Sequence, residues 1–120
     1  MNANEIRVGN LVYHEPTIDD WGIITIKVGN IIQCEINPDG FDPIQLTEEW
    51  LLKFGFEMIN KSYFELKVGG IIFEYTKDLN HNWYILINED IRVYLDYVHQ
   101  FQNLYFSLIN KEIMITEHSK

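Results

Sequence analysis

The sequence predicts an α+β fold in which a mainly antiparallel, strongly bent sheet with two hairpin-rich halves carries two helices. Short apolar runs of alternating character recur along the chain and end at Gly, Asn or Pro, which is typical of strands joined by hairpins. Two segments, near residue 50 and near residue 100, instead repeat apolar residues at helical spacing. The 120 residues contain no linker or low-complexity tract, so we expect one domain, residues 1–120.

In the first half, three strands precede a short helix. The strands are expected at Ile6–His14 (irregular at Gly9-Asn10), Trp21–Val28 and Ile31–Ile36. Gly29-Asn30 separates two apolar runs and indicates a hairpin between them. Thr47 can cap the following helix, Glu48 and Glu49 suit its first turn, and Gly55 can end it.

The second half returns to strands and then ends with the longer helix. The elements are expected at Tyr63–Val68, Ile71–Thr76, Trp83–Ile87 and Ile91–Leu95, then a helix over about Asp96 to Ile109 and a strand at Ile113–Thr116. Gly69-Gly70 is a two-residue hairpin signal between the first two of these strands.

Charge and composition exclude several classes of function. Eighteen carboxylates against nine Lys and Arg give a net charge of −9, which argues against binding nucleic acid through its phosphates. The chain has no signal-peptide pattern and no apolar run of the roughly 20 residues that a membrane span requires, so we expect a cytoplasmic protein without a membrane partner. The single cysteine, Cys34, excludes an internal disulfide and is expected to be a buried small hydrophobe.

No recognisable catalytic motif is present. The four histidines are isolated in sequence, no metal-ligand spacing occurs, and no Gly-rich phosphate loop precedes a helix. We therefore expect a protein that is not an enzyme and has neither a cofactor nor a metal site. Aromatic residues are abundant instead, with three Trp, seven Tyr and seven Phe, some to fill the core and some to line a pocket or an interface.

The last helix provides the candidate binding residues. Its core face is expected to consist of Tyr97, Val98, Phe101, Leu104, Tyr105, Leu108 and Ile109. Phe106 lies outside that arc together with His99, Gln102 and Asn103, a combination of one aromatic ring with amide and imidazole groups that is typical of recognition. The alternative is a solvated face with one stray Phe, or a Phe covered by a loop.

Two residues elsewhere complete the candidate site, and one experiment tests its helical part. Trp83 is added as an aromatic partner for stacking and Arg92 as a local cation. If the helix face is an exposed recognition surface, replacing His99 and Phe106 together with alanine removes binding and leaves the melting temperature nearly unchanged.

Three segments carry a family resemblance: Arg7–Val12, Ile44–Phe56 and Tyr97–Phe106. Together they resemble a family of small proteins common in Bacteroidetes genomes, prophages and phages. Relatives tend to have Gly at the position of Asn110, a modest difference because Asn also tolerates the left-handed conformation at a helix end. The resemblance implies no activity, but small acidic phage proteins often act by binding, including against host defences.

Composition and resemblance together favour a non-enzymatic binding protein of phage or prophage type. It would counter a host defence either by sequestering a small nucleotide signal or by occluding a host defence protein. The scarcity of Lys and Arg disfavours a highly charged ligand. The alternative is an interaction or structural module that self-associates without a small ligand, and a third hypothesis is an enzyme whose groups meet only after folding.

Overall fold

The computed structural model describes residues 1–15 and 22–115, which form two antiparallel sheets and three α-helices. The predicted α+β class is confirmed. The strands are β1 Leu11–His14, β2 Gly22–Thr25, β3 Phe41–Asp42, β4 Glu57–Asn60, β5 Tyr63–Val68, β6 Ile71–Lys77, β7 Trp83–Ile87 and β8 Ile91–Val93. The helices are α1 Val28–Ile36, α2 Glu48–Lys53 and α3 Val98–Ile109, with 3-10 turns at Ala3–Glu5 and Pro38–Gly40.

The larger sheet has the order β4-β5-β6-β7-β8, so every strand pairs with its neighbour in the chain. Gly69 and Gly70, with φ of 54° and 83°, form the tight turn between β5 and β6 that their sequence predicts. Residues paired across antiparallel strands share a face, as Phe64, Tyr75 and Ile85 do. Helices α2 and α3 pack on that face and form the main core with it.

The smaller sheet has the order β2-β1-β3 and a separate core. Helix α1 packs on it, and the shared cluster consists of Ile6, Val12, Ile26, Cys34 and Phe41. Cys34 is fully buried, as predicted, and its burial raises the pKa of the thiol. The structure therefore contains two sheets with two cores, where the sequence predicts one strongly bent sheet.

The strand predicted at Ile31–Ile36 is wrong, because these residues belong to helix α1. Asn30 lies in the first turn of the helix rather than in a hairpin, and its side-chain oxygen accepts a hydrogen bond from the backbone N–H of Lys27 at 2.8 Å. The segment is apolar on two sides of the helix, one facing the small core and one facing solvent. Such a pattern contains enough alternation to resemble a strand.

The remaining differences concern the ends of the elements and one missed strand. Strand β4 was not predicted because all four of its residues are exposed at the edge of the sheet, so it has no alternation of burial. In the strand predicted at Ile6–His14, regular pairing begins only at Leu11. Of the strand predicted at Ile113–Thr116, residues 113–115 form no strand and Thr116 lies outside the described residues. Trp21, the first residue of the strand predicted at Trp21–Val28, also lies outside them. No helix in the described part of the chain is long and apolar enough to span a membrane.

Candidate binding cleft

The polar side of helix α3 is covered by the N-terminal segment of the chain. The side-chain amide of Gln102 accepts a hydrogen bond from the backbone N–H of Leu11 at 2.8 Å and donates one to the carbonyl of Gly9 at 3.3 Å. Asn103 accepts from the buried side chain of Asn10 at 2.8 Å. We call this contact between α3 and residues 7–11 the seam. The amides that sequence assigns to a ligand are engaged by the backbone and side chains of the protein itself.

Arg7 is the central residue of the seam. Its Nε donates to Oδ1 of Asn103 at 2.9 Å, and its guanidinium forms an ion pair with Glu112. The guanidinium carbon also lies 4.3 Å from the ring centroid of Phe106, which is within cation–π distance. The side chain of Arg7, which is distant in sequence, therefore covers the ring of Phe106.

His99 is buried as well, with 3% of its surface exposed, as is Gln102 at 3%. Its Nδ1 has no hydrogen-bond partner among the described residues, and burial lowers the pKa of the imidazole against a weaker opposite effect of Glu5. The prediction that His99 and Gln102 belong to an exposed recognition face is wrong. For Gln102 the physical reason is that the N-terminal segment needs polar groups that satisfy the backbone of Gly9 and Leu11.

Arg92 and Trp83 lie on opposite faces of the larger sheet. The guanidinium of Arg92 stacks at 4.3 Å on Tyr84, on the face that carries no helix. Trp83 lies on the same face as Tyr75, against the main core. The structure therefore does not bring the predicted site residues together in one place. Gln102, Asn103 and Phe106 belong to the seam and His99 is buried on the same helix, whereas Arg92 and Trp83 lie on opposite faces of the sheet.

A cleft of about 350 Å³ opens beside Trp83, between the larger sheet and the start of α2. Its lining combines an apolar floor with a polar rim. The floor consists of Leu46, Leu51, Phe64, Tyr75 and Trp83, and the rim of Gln45, Thr47, Glu48, Lys61, His81, Asn82 and Asp96. Of the residues predicted from sequence, only Trp83 lines this cleft.

Trp83 and Tyr75 form an aromatic wall at one side of the cleft. Trp83 stacks on Tyr75 with ring centroids 4.8 Å apart and planes 9° from parallel, and the ammonium of Lys77 lies 5.6 Å from the Trp83 centroid. Burial, with a smaller effect of the carboxylate of Asp96, raises the pKa of Tyr75 to about 12. Because its neighbours fix the indole, a planar ligand would meet an ordered surface.

The loop between β6 and β7 carries two residues of the rim, His81 and Asn82. One carboxylate oxygen of Asp78 accepts the backbone N–H groups of Asn80 and Asn82 at 2.9 and 3.0 Å. These bonds hold the loop and, with the Asn82 contribution largest, lower the pKa of Asp78. His81 lies in the left-handed region with φ of 66°, a conformation that costs energy for any residue except Gly, although Asn, Asp and His adopt it more often than the others.

The rim is rich in amide and imidazole groups and has little positive charge. Gln45 and Asn82 supply amides whose side chains make no hydrogen bond to another described residue, and His81 supplies an imidazole. Lys61 is the single lysine or arginine in the lining, and it is outnumbered by the carboxylates of Glu48 and Asp96. The arrangement suits a neutral or weakly charged polar ligand.

Sequence could have suggested part of this site. His81, Asn82 and Trp83 are consecutive and combine imidazole, amide and indole groups in a polar loop. The contribution of Gln45, Leu46 and Thr47 could not be anticipated, because it depends on a bridge between Gln45 and Tyr97 that positions the segment before α2 across the sheet.

Among residues 1–15 and 22–115, no group of three or more His, Cys, Asp or Glu side chains is placed to hold a metal ion. No family model, no curated protein and no solved structure matches the chain.

Proposed function

We propose that this protein is a non-enzymatic binding protein that holds a small planar ligand of the nucleobase type in the cleft beside Trp83. The observation that carries the proposal is the fixed stack of Trp83 on Tyr75 at one wall of a cleft whose rim provides amide groups. Stacking on an aromatic side chain accepts any base, because every base has a π-face. Amide side chains supply both donors and acceptors to the base edge.

The charge of the cleft narrows the class of ligand. The rim holds Lys61 and two carboxylates, Glu48 and Asp96, and Lys77 lies against Trp83, so a ligand with several phosphates would meet no excess of positive charge. A nucleoside, a free base or a nucleotide with at most one anionic group beside Lys61 fits better. The sequestration of a nucleotide signal is thus favoured only for a signal of low charge.

The volume supports a ligand of this size. Binding pockets for small molecules usually measure about 300–1,000 Å³, and the cleft has about 350 Å³. It therefore accommodates a base with its sugar, whereas a dinucleotide would extend beyond it. The phage-type counter-defence role would act through this small ligand.

The test compares two asparagines of the same loop. Both Asn80 and Asn82 donate their backbone N–H to Asp78, but only Asn82 lines the cleft. Asn82→Ala should weaken nucleoside binding about fivefold, since a lost hydrogen bond to a ligand costs on the order of 1 kcal/mol. Asn80→Ala should leave the affinity unchanged. Calorimetric titration with the four ribonucleosides measures both.

A second measurement asks what the protein holds after contact with cells. The purified chain is incubated with a cell extract, re-isolated and denatured, and the released small molecules are identified by mass spectrometry. A planar heterocycle released from the unmodified chain and from Asn80→Ala, but not from Asn82→Ala, would support the proposal. Equal affinity of the two variants for every nucleoside, with no released heterocycle, would contradict it.

A second candidate function, self-association as an interaction module, is favoured by one observation. Helix α1 presents an apolar side to solvent in the isolated chain. Helix α1 packs on the smaller sheet, whereas the cleft lies on the larger one, so the two functions do not exclude each other.

A further inference from the structure

Helix α1 exposes an apolar stripe along its outer side. Val28, Ile32 and Ile36 follow one another at intervals of four residues and are 67%, 55% and 79% exposed. Residues at this spacing lie on one side of a helix. The opposite side is occupied, since Cys34 is fully buried and Ile31 packs on the smaller core.

Such a stripe is unusual for a surface helix. A helix on a small sheet ordinarily has one apolar face toward the core and a polar face toward water. Single exposed apolar residues need no explanation, but three aligned ones mark a contact surface. Gly29 lies beside them in the first turn, and a Cβ added there would meet nothing within 4 Å, so a second element can approach closely at that point.

We propose that the stripe is an interface with a second copy of this chain, in which two α1 helices pack antiparallel about a two-fold axis at Ile32. This pairing places Val28 of one copy against Ile36 of the other. A two-fold interface must be self-complementary, and α1 meets that condition. It has an apolar centre with a cation, Lys27, before one end and a carboxylate, Glu35, near the other.

The charges beside the stripe favour a second copy of the chain over a membrane surface. Lys27 and Glu35 are both exposed, and the antiparallel arrangement brings Lys27 of each copy toward Glu35 of its partner, forming two equivalent ion pairs. A membrane surface is disfavoured, because an interfacial helix is rich in Lys and Arg on its polar side, whereas this helix has one flanking lysine and the chain has a net charge of −9.

The interface is small, so we expect weak association. Three side chains per copy cover much less than the roughly 800 Å² that each partner buries in a standard interface. A dissociation constant on the order of 100 µM is therefore expected. Sedimentation equilibrium over protein concentrations from about 10 µM to about 1 mM spans that range.

The first variant places a charge at the axis. Ile32→Glu brings two carboxylates together and should weaken the dimer at least tenfold. Ile91→Glu is the matched control, since Ile91 is 57% exposed on strand β8 of the other sheet, and it should dimerise like the unmodified chain. Circular dichroism verifies that both variants are folded.

The second set of variants tests the direction of packing. Lys27→Glu and Glu35→Lys should each dimerise less than the unmodified chain, because they place like charges in both ion pairs. An equimolar mixture of the two should recover association, since each pair then joins opposite charges. The double variant should also associate. Glu at the start of α1 and Lys near its end both favour the helix dipole, so helix loss would not explain a weaker dimer in the single variants.

The outcomes decide the proposal. Concentration-dependent association that is lost in Ile32→Glu and restored in the mixture supports it. A monomer at about 1 mM overturns it, including when the α1 stripe instead captures vesicles or another protein. Association that persists in Ile32→Glu also overturns it, because the contact would then lie elsewhere.

Discussion

The seam on helix α3 and the cleft beside Trp83 hold similar side chains but differ in what contacts them. Both combine aromatic rings with amides and an imidazole. In the seam, Gln102 and Asn103 are hydrogen-bonded by residues 9–11 and by Arg7. In the cleft, the side chains of Gln45 and Asn82 make no hydrogen bond within the described part of the chain.

The difference shows that the composition of a face does not determine its partner. A polar and aromatic helix face is equally suited to a ligand and to a backbone segment with unsatisfied N–H and C=O groups. Two features identify the cleft as the candidate site. Tyr75 holds Trp83 in place and Asp78 holds the loop that carries Asn82, and the amide side chains of the rim remain available to a ligand.

The largest expected effect on the difference between seam and cleft comes from replacing His99 and Phe106 together with alanine. Both contribute to the seam or the buried surface around it, so the structure predicts a loss of about 3–5 kcal/mol in the free energy of unfolding. Thermal or urea denaturation measures it. An unchanged melting temperature would instead support the exposed recognition face that the sequence predicts.

Two arginines provide the next test, because each lies 4.3 Å from an aromatic ring centroid. Arg7→Gln breaks an ion pair and a hydrogen bond in the seam and should cost about 2 kcal/mol. Arg92→Gln, on the open face of the larger sheet, should cost less than about 0.5 kcal/mol. Urea denaturation compares them, and equal losses would show that the seam contributes no more than a surface contact.

Stability at high pH tests how dry the cleft wall is. Tyr75, through burial, and Tyr63, mainly through its hydrogen bond to Glu74, each have a pKa of about 12, whereas the ordinary value is 10.0. In the unfolded chain both ionise near the ordinary value, so the folded state holds its protons to higher pH. The stabilisation is complete below pH 10 and is lost as pH rises toward 12.

Ultraviolet titration of tyrosinate, compared between the unmodified chain and a Tyr75→Phe variant, isolates the contribution of Tyr75 from that of the other tyrosines. Tyr75→Phe should remove one of the late-titrating groups and reduce the decline in stability over the same range. If the group removed instead titrates near 10.0, the ordinary value, the wall of the cleft is open to water.

His81→Gly should change stability in the opposite direction from the variants above. Glycine accepts the left-handed conformation without strain, so the free energy of unfolding should rise by about 0.5–1 kcal/mol. Nucleoside affinity should fall, because the imidazole is removed from the rim. A variant that is more stable and binds equally well would exclude His81 from the site.

The larger sheet was predictable because its signals are local. Tyr63–Val68 and Trp83–Ile87 were predicted with the bounds they have, and Gly69-Gly70 specifies the intervening turn. Thr47 caps α2 by accepting from the N–H of Trp50, as predicted, and Asn110 ends α3 in the left-handed conformation with φ of 63°. Each of these depends on residues within a few positions of one another.

The seam and the cleft were not predictable because their contacts join distant parts of the chain. Arg7 and Asn103 are 96 residues apart, so no local pattern reveals that the polar face of α3 is covered. In α1, apolar residues lie on the solvent side as well as on the core side, so the sequence lacks the single apolar face that predicts a helix. Of the site residues that the sequence predicts, only Trp83 lines the cleft.

The most direct test of the cleft is an NMR titration of the labelled protein with the four ribonucleosides, observing side-chain N–H signals. The indole of Trp83 and the amides of Gln45 and Asn82 should shift saturably with at least one nucleoside. The amides of Gln102 and Asn103, which the seam engages, should not shift and serve as the internal control. Shifts confined to Gln102 and Asn103, or no shift at the cleft at millimolar nucleoside, would contradict the account.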